Sequence, residues 1–337
     1  METYKRYIYL KKKYTRLCSI IGGTSTKNTL HIEEKKVPSE IANIIVNFDH
    51  VITLTTTSNE EHIYRNKEQF IKYCNTEKNI KSVIIVGSMV LINPIDLFKD
   101  QIDLESVVID GVLSLEGSCE SMFENAVNFS SDLSKWDVSN VSNMRRMFFG
   151  AKSFNGDLSS WKVSKVTNMA SMFSFTEVFN GDLSKWDVSK VTNMGNMFEA
   201  AQSFSSDLSS WIVSKVTDMN NMFTLAIVFK SDLSSWNVSN VTNMNSMFYA
   251  AFQFNSDLSS WNVSKVTDMI NMFYAASQFN SDLSSWNVSK KTKTQNMFVS
   301  TVLSPPPIWY NKNTEIIYVF DSAISDSDVS DSDVDEY

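Results

Sequence analysis

The sequence predicts an α/β repeat protein: a solenoid of about seven to eight units, preceded by a small mixed α/β region. Tryptophan recurs at Trp136, Trp161, Trp186, Trp211, Trp236, Trp261 and Trp286, with one constant 25-residue step. A Met-Phe pair keeps the same interval from Met122-Phe123 to Met297-Phe298, and an Asp-Leu pair keeps it from Asp132-Leu133 to Asp282-Leu283. A 25-residue unit is too small to bury its own Trp, Met and Phe side chains, so neighbouring units must stack to do it.

One unit, Phe154 to Val178, reads FNGDLSSWKVSKVTNMASMFSFTEV. Trp161 and Val163 alternate with Ser160 and Lys162, the period of a short strand with one buried face. Val166, Met169, Met172, Phe173 and Thr176 have the spacing of a short helix face, with Ser164 or Thr167 as its cap. The Asn-Gly-Asp or Ser-Ser-Asp group before each Leu supplies turn chemistry. This pattern assigns the tryptophan column, Trp136 to Trp286, to the structural core; an exposed ladder for glycans fits the strict alternation with Val less well. The aspartate column from Asp132 to Asp282 allows two readings. Stacked carboxylates could hold calcium, whereas a turn carboxylate can satisfy nearby backbone N–H groups. The second is preferred, so neither a metal nor a cofactor is expected.

The phrase FNGDLSKWDVSKVTNMGNMFEAA, Phe179 to Ala201, resembles the repeat of the BspA-type leucine-rich-repeat surface proteins, in its mycoplasma-type variety. The resemblance spans residues 104 to 300. It implies a leucine-rich-repeat-like, right-handed solenoid and a role in adhesion or protein recognition. One feature departs from it. The first sixteen residues carry six Lys or Arg, but no apolar stretch of signal-peptide length follows. A cytoplasmic location is therefore favoured over the cell surface.

Four segments are expected: a mixed α/β region over 1–100, the repeats over 104–300, a C-terminal cap over 301–320 and a disordered acidic tail over 321–337. In the first, Ser39 to Phe48 and Glu60 to Cys74 read as helices, the latter with Ile63, Phe70, Ile71 and Cys74 inward. Val51 to Thr57 and Ser82 to Ile92 read as strands. The terminal units diverge, as the ends of an array should: Gly111 stands where Trp is expected, and Lys291 and Thr294 replace a Val and a Met. Pro305-Pro306-Pro307 stops the pattern, and Ile308 to Phe320 is apolar enough to fold over the open end.

Net charge is −8, of which the six Asp and one Glu of the tail supply −7. The rest of the chain is close to neutral, which removes the electrostatic case for nucleic acid. No apolar run reaches the roughly 20 residues of a membrane span. Cys18, Cys74 and Cys119 are an odd number without metal or disulfide spacing. His31, His50 and His62 form no triad or metal pattern, and Gly22 to Lys27 lacks the order of a phosphate loop. The chain is expected not to be an enzyme. Ser325, Ser330 and Ser332 each precede an acidic residue by three positions, which suits acidophilic kinases; a purely solubilising tail explains the same residues.

What varies between units is left for binding. One outward row is Asp137, Lys162, Asp187, Ile212, Asn237, Asn262 and Asn287. A second, mildly basic row is Asn140, Lys165, Lys190, Lys215, Asn240, Lys265 and Lys290. These rows suit a non-enzymatic scaffold for a protein partner, or a surface adhesin binding host protein or glycan. The sequons at Asn140, Asn237 and Asn262 matter only if the chain is secreted.

Overall fold

The computed structural model describes residues 50–310. The helix expected over Ser39 to Phe48, the Gly22 to Lys27 stretch, Cys18, His31, the cap beyond Tyr310 and the acidic tail with its serines lie outside the described residues.

One parallel ladder runs through the molecule. Strands β4 (Met89–Ile92), β6 (Leu113–Ser118) and β7 (Asp137–Asn143) pair in parallel in that order. Beyond β7 the ladder narrows to one bridge per unit, at Asn143, Asn168, Asn193, Asp218, Asn243, Asp268 and Lys293. Consecutive units are thus stacked one upon the next.

The second half of each unit is not the expected helix. In Met144 to Gly150, the N–H groups of Met144, Arg146, Phe148 and Gly150 donate to carbonyls of the next unit, those of Asn168, Ala170, Met172 and Ser174, at 2.9–3.0 Å. Met147, Phe149 and Ala151 instead close tight turns onto the carbonyls three residues before them. Arg146 and Gly150, each third in its turn, take φ of 55° and 66°, the left-handed value a type II turn requires there. The same two positions recur as Ser171 and Phe175, Asn196 and Ala200, and Ser246 and Ala250. A helix would aim those N–H groups at carbonyls four residues back; here the neighbouring unit takes them. The expected strand at Trp161 and Val163 is likewise a corner, set between turns closed by Trp161 N–H to Leu158 O and Val166 N–H to Val163 O.

The stack starts earlier than residue 104. Strands β3 (Ile80–Gly87) and β5 (Ser106–Asp110) pair in parallel with Val83 opposite Val107. The N–H groups of Asp96, Phe98 and Asp100 donate to Glu120, Met122 and Glu124 at 2.8–3.0 Å. Asp96 and Asp100 have φ of 56° and 58°, as their counterparts do two units later. Residues 80–103 therefore form a unit, in which Leu97-Phe98 stands one full repeat step before Met122-Phe123. Gly111 cannot be the Trp of its unit, because a Cβ there would run into the carbonyl oxygen of Gly87.

Elements outside the repeat pack on both ends of the described stack. Strand β1 (His50–Thr56) lies antiparallel on the edge of β3, and β2 (Glu61–Tyr64) lies antiparallel on β1, so the parallel pairing of β3 with β5 ends there, while β4 is the edge strand of the longer ladder among the described residues. Helix α1 (Lys67–Thr76) starts at Asn66, whose Oδ1 accepts the Gln69 N–H. It buries Phe70 and Cys74, with Phe70 edge-on to Phe98 at 6.1 Å. Ile63 lies on β2 and is exposed, so the helix expected from Glu60 begins later, the first part of that segment being drawn into pairing with β1. Buried Gln101 ties α1 to the stack, donating to the carbonyls of Cys74 and Glu77 and accepting the Ile80 N–H. At the other end Trp309 stacks on Trp286 at 6.0 Å, and Tyr310 stands edge-on to Phe298.

Three aromatic columns fill the interior. Phe123, Phe148, Phe173, Phe198, Phe223, Phe248, Phe273 and Phe298 stack with centroids 5.5–5.9 Å apart. Phe129 to Phe279 form a second column at 5.7–6.1 Å. The tryptophans form the third, at 6.4 Å where stacked. Each such pair adds roughly 0.5–1.5 kcal/mol beyond its buried area. From Trp161 on, the indole Nε1–H donates to the Leu carbonyl of the preceding unit at 2.9–3.0 Å.

Trp211→Ala is expected to cost about 3–5 kcal/mol by cavity formation, measured by denaturant unfolding. Trp211→Phe keeps a ring but removes the indole donor to the Leu183 carbonyl, which still accepts the Trp186 N–H, for a loss of about 0.5–1.5 kcal/mol. Ala250, at φ 52°, is expected to tolerate glycine with a change below about 1 kcal/mol, because relief of the left-handed strain offsets the lost methyl. Buried Ala251, which lacks a positive φ, should lose about 1–2 kcal/mol on the same change.

Candidate functional site

A threonine rail holds the outward rows in register. Thr167, Thr192, Thr217, Thr242 and Thr267 are exposed, and each uses its N–H and its hydroxyl on one carbonyl of the preceding unit. The N–H bonds measure 2.8–2.9 Å and the hydroxyl bonds 3.1–3.2 Å. Two bonds per residue to a neighbouring backbone leave the rail little freedom, and the rows beside it inherit its spacing.

The first row, Asp137, Lys162, Asp187, Ile212, Asn237, Asn262 and Asn287, is exposed throughout. Four members are committed to local turns: Asp137, Asp187, Asn237 and Asn262 accept the N–H two residues on at 3.0–3.1 Å. The hydroxyls of Ser139 and Ser189, then their N–H groups, hold the carboxyls of Asp137 and Asp187 below the usual range. Ile212 is 61% exposed. In the second row Lys165 and Lys265 donate to Asn140 and Asn240. Among the described residues no ion pair engages Lys165, Lys190, Lys215, Lys265 or Lys290.

The tryptophan column is interior: Trp136, Trp161, Trp186, Trp211, Trp236, Trp261 and Trp286 are 3–4% exposed. Each column aspartate from Asp132 to Asp282 accepts the N–H of the serine two residues on at 2.9 Å. For Asp207, Asp232 and Asp257 this backbone bond, then the same serine's hydroxyl, is the main cause of a depressed pKa. Among the described residues no cluster of His, Cys, Asp and Glu could hold a metal ion. Cys74 and Cys119 are buried and burial raises both thiols, that of Cys119 to about 12, so neither is a nucleophile at neutral pH. His50 and His62 lie on β1 and β2.

Sequence reasoning missed a second face, formed by the turns. In the early units it is charged: Arg146 grips Glu124 through two bonds of 2.8 and 3.0 Å, Lys99 adds a contact at 3.5 Å, and Arg145 pairs with Glu120 at 2.7 Å. Burial works to raise the Glu124 pKa, but hydrogen bonds from Arg146 and Ser121 and the two positive charges hold it below the usual range. In the later units the face is uncharged. Leu225 and Phe252 are 40% and 42% exposed, and Tyr249 stacks on Tyr274 at 5.0 Å. The available signal was variation: at the turn position after Met-Phe, Phe149, Ser174, Glu199, Thr224, Tyr249 and Tyr274 follow one another.

With the stack and its faces defined, the family can be stated. The model of the family described as Mycoplasma protein of unknown function, DUF285, matches residues 117–226 and 205–304, together more than half of the chain. The chain belongs to this family. Its matched segments cover the Trp, Met-Phe and Asp-Leu columns and leave residues 50–116 outside. No curated protein and no solved structure matches. No helix among the described residues is long and apolar enough to cross a membrane.

The depressed aspartates fix the sign of the pH dependence. Their contribution is present above the unfolded value of about 3.9 and is lost as pH falls through the lower folded value. Replacing Asp207, Asp232 and Asp257 together by Asn, which keeps the turn acceptor, should leave the melting temperature near its starting value at pH 7. It should also shrink the fall in melting temperature below about pH 4. Thermal melts across pH measure both.

Proposed function

We propose that the chain is a non-enzymatic interaction scaffold: a leucine-rich-type, right-handed solenoid of the BspA variety whose outward faces hold a protein partner. One observation carries the reading. The recurrent side chains are spent on the interior, on bonds between units or on turns within the unit, as with the buried Trp and Phe columns, the Thr rail and the Asp column. The variable side chains project from this rigid array, including exposed Ile212, Leu225 and Phe252. Exposed apolar groups on a uniform scaffold are what a docking face needs. The outward rows proposed from sequence and the uncharged turn face are the two surfaces available.

The second reading, a surface adhesin binding host protein or glycan, is favoured by the exposure of the sequon residues Asn140, Asn237 and Asn262. Occupancy of those sites requires passage through a glycosylating route.

The test is capture of a partner by the full chain compared with two variants. Leu225→Asp/Phe252→Asp alters the turn face, and Ile212→Asp/Asn237→Asp alters the outward row. The scaffold reading expects at least a tenfold loss of affinity, about 1.4 kcal/mol or more, in one variant with melting unchanged. Equal capture by both variants would refute the assigned faces. A mass shift on deglycosylation of native material would select the adhesin reading.

A further inference from the structure

We propose that the acidic segment 321–337 of this chain docks along the lysine column of the stack, its carboxylates facing Lys290, Lys265, Lys215, Lys190 and Lys165. The column is an exposed basic row: none of these five lysines is in an ion pair among the described residues, Asp187 acts on Lys190 only through its charge, and the one nearby pair, Lys293 with Asp268 at 3.5 Å, uses other groups. The last unit is the most basic, with Lys290, Lys291 and Lys293 close together and all exposed. The threonine rail, two residues beyond Lys165, Lys190, Lys215 and Lys265, fixes the spacing of those four, and beyond Lys290 the Thr292 hydroxyl holds the Val266 carbonyl of the preceding unit.

The segment is complementary in charge and length. It carries Asp321, Asp326, Asp328, Asp331, Asp333, Asp335 and Glu336 and no Lys or Arg. In an extended chain, carboxylates two residues apart lie roughly 7 Å apart. Column lysines lie roughly 5 Å apart from unit to unit, a difference that long lysine stems absorb. The connection starts in the right place, because Tyr310 packs on Phe298 in the unit that holds Lys290. Residues 311–320 can span up to roughly 34 Å, more than the roughly 24 Å from Lys290 back to Lys165. Tethering supplies an effective concentration in the millimolar range, so individually weak contacts suffice. Neutral Asn240 interrupts the row and divides it into two clusters.

A partner that needs the lysine column must then displace the segment, and phosphate on Ser325, Ser330 or Ser332 would strengthen the internal contact. The docking itself does not depend on which partner the scaffold holds.

Zero-length carbodiimide coupling tests this on the full chain, at micromolar concentration with isotopically mixed protein to separate links within one molecule from links between molecules. Intramolecular links from residues 326–336 should concentrate on the five column lysines. They should fall at least about fivefold between roughly 20 and 500 mM salt, as the Debye length drops from roughly 20 to 4 Å. The same loss is expected in the variant Lys190→Gln/Lys215→Gln/Lys265→Gln/Lys290→Gln, whose melting temperature shows that it folds. Links spread evenly to distant lysines such as Lys67 and Lys152, links only between molecules, or yields that ignore salt and the four substitutions would each overturn the proposal.

Discussion

Everything in this molecule depends on the transfer of backbone hydrogen bonds from within a unit to between units. Met144, Arg146, Phe148 and Gly150 give their N–H groups to the next unit, and that choice sets the rest. Once the N–H groups leave the local chain, a helix is impossible and a chain of tight turns takes its place. Those turns need left-handed residues at fixed positions, even where the residue is Phe175 or Leu225. Such strain of roughly 1–2 kcal/mol per residue is held because the cross-unit bonds and the aromatic columns exceed it together.

The same arrangement separates structure from surface. Phe, Trp, Met and Val of the repeat turn inward and stack on their own copies, so each unit completes the core of the next. Threonine and aspartate, polar and outward, are nevertheless spent on backbone groups. This leaves the row beside Trp, the lysine column and the turn face as surface free to vary.

The ends needed a separate solution, because a parallel ladder left open is a template for other chains. At the start an antiparallel strand, β1, takes the edge of β3, and Phe70 stands edge-on to Phe98, which stacks on Phe123 of the first phenylalanine column. At the other end Trp309 repeats both acts of the repeat tryptophan, stacking on Trp286 and donating to Leu283 O. Its place in the chain departs from the 25-residue step, so no count of intervals finds it.

The repeat, its length, the inward columns and the turn role of aspartate were legible in the sequence, because an interval kept without insertion can only mean copies packed in one register. The second phenylalanine column was equally visible in the leading Phe of each FNGDL phrase, and the unit over 80–103 was hidden only because it keeps Leu97-Phe98 while lacking Trp. Tertiary structure decided the conformation inside the unit. The spacing of Val166, Met169, Met172 and Phe173 fits a helix and a run of tight turns alike, since both return a side chain to one side every three to four residues. What separates them is where the N–H groups find acceptors, and those acceptors lie almost a full repeat further along the chain, on a neighbour that exists only once the units have stacked.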